Sequence, residues 1–323
     1  MTRPIAVDLF AGAGGMSLGF EQAGFDVCAA VEIDPVHCAV HKFNFPDCAI
    51  VSKSVAEATG AEIRKAAKLG RRRVDCVFGG PPCQGFSMIG HRSFDDPRNR
   101  LVLEFVRIVA ELGASTFVFE NVKGLTIGKH KAFLKEIAAA FEEVGYDVRL
   151  PWRVLDAANY GVPQHRERLF LLGAKKGTPL PAYPKPTVQP ADDDAMLLEI
   201  PRGPTCADAL GDLPDADMFP ELIDADCATP HFFGPPSRYA AALRGLTNDA
   251  WAYGHPRKWD ASVMSSSWRT DHTEISRRRF GETPHGETEP ISRFYRLSPA
   301  GLSNTLRAGT VEHGQDAVEA LQH

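Results

Sequence analysis

The sequence predicts an α/β fold, a parallel sheet with flanking helices, followed by a smaller and less regular module. Three observations lead there. From Pro4 to about Gly173, short β-branched runs alternate with helical stretches, as successive βα units do. The strand-like runs are apolar throughout and end in Gly, Pro, Asp or Asn, which suits strands buried on both faces. After Lys176 the texture becomes Pro-rich and acidic, starting TPLPAYPKPTVQPADDD, with no further βα repeat, so a boundary is expected near Gly177. At 323 residues the chain has room for one large domain and a smaller one.

In chain order, Ile5 to Phe10 reads as the first strand, running through a glycine loop into a helix from about Met16. Val27 to Asp34, Val74 to Gly79, Thr116 to Asn121 and Arg168 to Gly173 read as further strands. Leu101 to Leu112 and Lys131 to Val144 read as helices. In the second, Phe133, Ile137, Phe141 and Val144 recur at helical spacing opposite Lys135, Glu136, Glu142 and Glu143. The remainder holds three of the four tryptophans, Trp251, Trp259 and Trp268, and is expected to be an irregular module with its own small core.

Composition narrows the function. Apolar residues make up 44% and charged residues 24%, which excludes coiled-coil, collagen-like and wholly disordered chains. No apolar run is long enough for a membrane span, and Asp8 and Glu21 interrupt the N-terminal apolar stretch, so a cytoplasmic protein is expected. The seven cysteines include no C-x-x-C pair and no His tract stands at zinc spacing, so reduced thiols and no structural metal are expected. A net charge of −5 excludes a protein that coats nucleic acid indiscriminately. Two local clusters, Arg71 to Arg73 and Arg277 to Arg279, remain candidates for phosphate contact, with a solvated face the simpler account.

Four motifs carry chemistry. In DLFAGAGG, Gly12, Gly14 and Gly15 let the backbone approach a ligand at a helix N-terminus, and Glu32 follows at the end of the next strand, placed for a ribose hydroxyl. Ser17 stands where a dinucleotide fingerprint has its third glycine, which leaves NAD, FAD and S-adenosylmethionine open. In GGPPCQGFS, two prolines stiffen the chain before Cys83 while glycines leave access to the thiol at a strand end. FENVKGL brings Glu120 and Asn121 to another strand end, and YGVPQHRERLF brings Gln164, Arg166 and Arg168 to the start of the next strand. A thiol, a carboxyl and two guanidiniums would thus converge on one crevice.

Together and in this order, the motifs resemble the C5-cytosine DNA methyltransferase family, from about Ile5 to Lys175 and again over SRFYRLSPAGLSNTLRAGT, Ser292 to Thr310. The resemblance implies a Rossmann-like S-adenosylmethionine-dependent methyltransferase fold. It divides the chain into a catalytic and cofactor-binding domain at 1–176, a target-recognition domain at 177–290 and a return segment at 291–323. By resemblance Phe10, Ala11, Gly12, Ala13, Gly14, Gly15, Glu32, Ile33, Ser54, Val55, Pro82 and Leu101 form the S-adenosylmethionine pocket. Glu32 would take the ribose and Ile33 would lie against adenine. Cys83 would add to cytosine C6, Glu120 would serve N3, and Arg168 helped by Arg166 would hold O2. The target base must leave the duplex, and the loop through Gln84, Ser87 and Arg98 would close over it, with Arg92 or Arg98 gripping phosphate. Double-stranded DNA is the implied partner and a nucleoid-associated location follows from it. His231, Arg238, Arg257 and Lys258 are further candidate contacts in the recognition domain.

Two departures stand out. The family carries an acidic residue where SKSV here offers Ser54, implying weaker cofactor binding. After LRAGT the chain reads VEHGQDAVEALQH, without the Arg-Glu helix and Gly-Asn-x-Val segment that the family places there. The expectation is one subunit of a split enzyme or a shortened gene product, whose uncovered apolar surface a second polypeptide would bury. Two other readings stay open: a partner-dependent, non-catalytic DNA-binding subunit, and a tRNA cytosine-C5 methyltransferase. A nicotinamide oxidoreductase would explain only the glycine loop.

Overall fold

The computed structural model describes residues 2–82, 100–128, 130–193, 200–247 and 260–305. Cys83, Gln84, Ser87, Arg92, Arg98, Trp251, Arg257, Lys258 and Trp259 lie outside them, as does everything after Thr305.

Strands β1 (Ile5–Leu9), β2 (Asp26–Glu32), β3 (Ala49–Ser52), β4 (Cys76–Gly79), β5 (Thr116–Val122), β6 (Tyr146–Val148), β7 (Arg153–Asp156) and β8 (Glu167–Lys175) form one sheet. Its order is β3-β2-β1-β4-β5-β8-β6, with β7 also paired to β8. The first five strands are parallel, so the chain leaves each at the same edge of the sheet. Strand β8 instead runs antiparallel to β5, with Val122 opposite Arg168. That corrects the expectation of a wholly parallel set. No crossover helix separates β6, β7 and β8, and short connections favour antiparallel pairing. The consequence is functional: β8 begins where β5 ends. Strands β3, β6 and β7 are three or four residues long and only partly buried, so no apolar run marks them, whereas the equally short β4 is buried throughout.

The two-residue strand period distributes side chains to two faces. Val7, Leu9, Val77, Phe117 and Phe119 enter the larger core, with Phe105, Ile108 and Leu112 of α4 (Arg100–Leu112) and Phe133, Ile137 and Phe141 of α5 (His130–Glu143). Phe117 stacks on Phe141 at 3.7 Å between ring centroids. Ala6, Ala30, Cys76 and Phe78 enter the smaller core, where Phe78 stacks on Phe20 of α1 (Gly15–Gln22). Helix α2 (Pro35–Asn44) starts at Asp34, whose carboxylate accepts from the amides of Val36 and His37, with proline at the first helical position. Thr59 and Glu62 form a reciprocal capping box on α3 (Gly60–Ala66).

Beyond β8 the chain stays on this unit as far as Asp193. The Arg149 guanidinium donates to Leu180 O, Tyr183 Oη to Phe170 O, and the Thr187 amide to Asn159 O. The following module carries α6 (Cys206–Leu210), α7 (Arg238–Leu243) and α8 (Glu274–Glu282) among turns and loops. Its described core is small: Leu222, Ala228 and Met264, with Ala216, Phe219 and Phe233 around them. An ion pair supplements it, Arg244 Nη1 to Asp212 Oδ2 at 2.7 Å, with the guanidinium 3.7 Å above the Phe233 ring. Trp268 is exposed. No helix among the described residues is long and apolar enough to cross a membrane.

Candidate active site

The parallel strands β1, β2, β4 and β5 deliver Phe10–Gly15, Glu32–Ile33, Pro81–Pro82 and Glu120–Asn121 to one edge of the sheet, and β8 starts there with Arg168. After β1 the backbone turns through positive φ at Phe10, Gly12 and Gly14, and Gly14 then caps α1. A Cβ on Gly14 would sit 2.3 Å from the Phe45 ring, so glycine is required there for packing as well as conformation. Around Gly12 and Gly15 the space is open. Glu32 is largely buried and spans the strand ends. Its Oε2 accepts from the Gly12 amide at 2.8 Å, and its Oε1 from the amides of Ile33 and Asp34 at 2.9 Å. Ile33 is 68% exposed, an unusual position for a large apolar side chain at the end of a buried strand.

The other members of the expected pocket divide. Ala11 is buried, while Ala13 and Pro82 are exposed and Leu101 is half-buried in the first turn of α4. Ser54 Oγ accepts from the Ala56 amide at 3.3 Å, a local turn bond that leaves further acceptor capacity. The Val55 side chain points into the larger core, and its carbonyl accepts from Arg107.

Glu120 and Arg168 form the charged centre, with Nε to Oε1 at 3.1 Å across the β5–β8 ladder. Because Arg168 faces Val122, Glu120 is its diagonal neighbour on the same sheet face. Burial raises the Glu120 carboxyl above the usual carboxylate range, against the opposing pull of Arg168 and Arg166. Burial likewise lowers Arg168, helped by repulsion from Arg166. Gly80 makes the carboxyl's position possible, since a Cβ there would lie 2.6 Å from Glu120 Oε2. The next residue along β5 fixes the turn before Cys83: buried Asn121 donates from Nδ2 to Pro81 O at 3.0 Å and accepts from the Val122 amide at 2.9 Å.

Arg166 is exposed, its amide bonded to Asp156 Oδ1. Gln164 bridges to Ser303, and the His165 amide donates to Ser303 O while Thr305 Oγ1 donates to His165 O. His165 sits between two carboxylates, Nδ1 2.8 Å from Asp156 and Nε2 3.0 Å from Asp192. The hydrogen bond to Asp156 leads the causes that raise its pKa. Asp156, His165 and Thr305 border an open cleft with Val122, Lys123, Gly124, Glu167 and Arg168. Sequence reasoning did not identify Asp156, His165 or Asp192 as site residues, and read Gly80 only as one of the glycines around Cys83. Of the first three only His165 carried a signal, lying between Gln164 and Arg166. Arg71 to Arg73 precede β4 and so lie at the opposite edge of the sheet, away from the site. His231 and Arg238 are exposed.

The chain is similar to known proteins over most of its length. The C-5 cytosine-specific DNA methylase family matches residues 5–231. The type II methyltransferase M.XorII of Xanthomonas oryzae pv. oryzae is 56% identical over 310 residues, 96% of this chain and 70% of that protein. The type II methyltransferase M.AquIA of Picosynechococcus is 40% identical over 221 residues, 65% of this chain and 89% of its own length. A crystal structure described as a DNA modification methyltransferase from an E. coli prophage superposes with a TM-score of 0.73 at 32% identity, covering 94% of this chain and 82% of that one. A nicotinamide oxidoreductase is thereby set aside. The chain belongs to the C-5 cytosine-specific DNA methylase family.

Proposed function

We propose that the protein transfers a methyl group from S-adenosylmethionine to C5 of a flipped-out cytosine in duplex DNA, as the modification enzyme of a restriction-modification pair. The observation that carries the reading is the half-buried Glu120–Arg168 pair beside Pro81, whose carbonyl Asn121 holds, next to the open glycine loop.

The cradle fits a nucleoside cofactor. Open space at Gly12 and Gly15, acceptor oxygens on Glu32 and the exposed apolar face of Ile33 suit the amino-acid tail, ribose and adenine, with Phe10, Pro82 and Leu101 bordering them. Bound there, S-adenosylmethionine supplies an electrophilic methyl group.

Cytosine C5 is too weak a nucleophile to take that methyl unaided. The Cys83 thiolate adds to C6, which turns C5 into an enamine-like carbon. Negative charge would build on the ring, and Glu120, whose carboxyl burial raises above the usual carboxylate range, donates to N3. Arg168 donates to O2, with Arg166 adding positive field. Transfer to C5 would break the sulfonium–methyl bond and release S-adenosylhomocysteine; water would then take the C5 proton, the C5–H electrons would re-form the C5–C6 double bond and expel Cys83 as thiolate, and N3 would return its proton to Glu120. Asn121 acts as a positioning residue, holding the backbone two residues before the thiol relative to Glu120.

The test is incorporation of labelled methyl from S-adenosylmethionine into mixed-sequence duplex DNA. Label at cytosine C5 is expected, abolished by Cys83→Ser and reduced about 10²- to 10⁴-fold by Glu120→Gln. Undiminished transfer by Cys83→Ser would overturn the covalent route, and label in RNA but not DNA would favour a tRNA methyltransferase.

A further inference from the structure

One residue beside the charged centre joins three segments that are distant in sequence. His165 precedes Arg166 by one position and Arg168 by three, at the entry to β8. Its amide donates to Ser303 O at 2.9 Å and its carbonyl accepts from Thr305 Oγ1 at 2.7 Å. Its ring spans two carboxylates from different places. Nδ1 lies 2.8 Å from Asp156 Oδ2 at the end of β7, and Nε2 lies 3.0 Å from Asp192 Oδ2 in the segment after β8. Every polar group of His165 is thereby engaged, backbone and side chain alike.

Carboxylates accept and do not donate, so a ring that faces one at each nitrogen needs a proton on both. The bridge is therefore made by the imidazolium, since the neutral ring would set a lone pair against one of the two carboxylates. Both carboxylates are also held independently of the ring. Asp156 Oδ1 accepts from the amides of Arg166 and Ala158 at 2.9 and 3.2 Å, and against burial these bonds and that from His165 hold it below the usual carboxylate range. Asp192 stands in a stretch fixed on both sides: the Thr187 amide donates to Asn159 O, the Gln189 amide to Pro201 O, and the Arg202 guanidinium to Ala191 O and Asp193 O. The cations bordering the same cleft are paired elsewhere, Lys123 with Glu167 and Arg168 with Glu120, on which exposed Arg166 also acts. Cys206 of α6 is raised by burial and by the charge of Asp192.

Asp156 is the link from this bridge to the Arg168 guanidinium. It closes the β7–β8 ladder opposite Glu167, and the preceding pair, Leu155 with Arg168, sets the backbone from which Arg168 reaches Glu120. The carboxylate that takes the His165 Nδ1 proton bond also takes the Arg166 amide, and the Arg166 carbonyl accepts from the Ala157 amide at 3.2 Å. A shift at His165 is therefore passed along a hydrogen-bonded ladder to the residue three positions on. Geometry at such a site is only as fixed as the bonds that support it.

We propose that His165 is a positioning residue for methyl transfer: as the imidazolium bridge between Asp156 and Asp192 it fixes the start of β8 and so aims Arg166 and Arg168 at the target base. The inference rests on the methyltransferase reading above and adds to it a proton on which the geometry of the site depends. Loss of that proton frees Asp192 and loosens the entry to β8, while removing no group that contacts the base. The hydrogen bond to Asp156 foremost, and that to Asp192, raise the His165 pKa. The bridge is therefore complete below the ordinary histidine value and is lost as pH rises through the raised one.

Two measurements on the full chain test this. In protein labelled at arginine and histidine, with S-adenosylhomocysteine present, NMR follows the Arg168 Nε–H and the His165 ring through one pH titration. Arg168→Lys and His165→Gln assign the two signals. The His165 midpoint is expected above the ordinary value of about 6.5, and the Arg168 signal should shift and exchange faster with that same midpoint. In His165→Gln the Arg168 signal should keep its high-pH position throughout. The second measurement is kcat for methyl transfer to mixed-sequence duplex DNA, taken as the ratio of wild type to His165→Gln so that the titrations of Cys83 and Glu120 cancel. Below the midpoint the ratio should be about 10, short of the roughly 10²-fold that a misplacement of about 1 Å can cost, and above it the ratio should approach unity with KM for DNA little changed. Asp192→Asn, which removes one carboxylate, should move the step to lower pH. Unchanged S-adenosylhomocysteine binding establishes that the variants are folded. A ratio independent of pH, as a purely structural role gives, would overturn the proposal. So would an Arg168 signal that ignores the His165 titration, or a His165 midpoint at or below the ordinary value. Absence of transfer by wild type while Arg168 still follows His165 would instead defeat the methyltransferase reading and leave the hold of His165 on Arg168 standing.

Discussion

The α/β unit and the module that follows it are stabilised by different means. Between Ile5 and Lys175 the elements are held by two large apolar clusters, and their polar groups are paired at strand and helix ends. Between residues 200 and 305 the described apolar core comprises three buried residues, and polar ties carry much of the order: Asp212 on Arg244, Glu289 on the Ser292 amide, Arg296 on the Gly281 carbonyl. The difference teaches where precision comes from. Catalytic groups need a scaffold that does not deform, and burial supplies it. In the module, exposed side chains stand on a backbone that hydrogen bonds fix without covering them.

The contrast can be tested first at its apolar extreme. Phe117→Ala should cost about 3–5 kcal/mol, because the ring is fully buried against Phe141 and Tyr146, and chemical denaturation should register it as a loss of global stability.

A subtler test uses the buried carboxyl of the scaffold. Asp8 is 1% exposed and accepts from Ser17 Oγ at 2.7 Å, while Ser17 also lies 3.1 Å from His41 Nε2. Burial pushes Asp8 up to about 8 and His41 down to about 4. Between about pH 4 and 6.5 the folded chain keeps the Asp8 proton while the unfolded chain keeps the His41 proton, so the two contributions nearly cancel. From about pH 6.5 to 8 only the Asp8 proton distinguishes the two states, and stability should fall with rising pH by about 2 kcal/mol and level off above it. Urea unfolding at several pH values should show the slope, and Asp8→Asn should flatten it.

In the module, Asp212→Ala strands a guanidinium that is 19% exposed and should cost about 2–3 kcal/mol. If the module is held as described, hydrogen exchange will accelerate in α6 and α7 while the sheet stays protected. Equal acceleration in both would break the distinction between the regions.

The smallest effect is expected where the two regimes meet. His165 bridges Asp156 and Asp192, tying the segment after β8 to the catalytic edge. The pair is partly exposed, so His165→Gln should cost no more than about 1 kcal/mol. Because its carboxylate partners raise the His165 pKa, the clamp is fully present below the ordinary histidine value and is lost as pH rises through the raised one. Proteolysis near Asp192 should become faster across that range.

Much of the scaffold was legible because it depends on local composition. The runs at Ile5, Val27, Val74 and Thr116 are continuous and apolar, and α4 and α5 carry stripes at helical spacing, so burial and period coincide. The glycine loop, Glu32, Glu120 and Arg168 were legible because each adjoins such a strand. Strands β3, β6 and β7 were not, being short and only partly buried.

What the sequence determined by itself was the family, the strand-end location of the candidate site and the residue types gathered there. Tertiary structure alone decided the rest. The antiparallel entry of β8 places Arg168 diagonally from Glu120, Asn121 reaches back to Pro81, and His165 joins Asp156 to Asp192. Each joins residues through space by hydrogen bonds or strand pairing. Such contacts depend on direction and distance in the folded chain, and neither hydrophobic period nor spacing along the sequence records them.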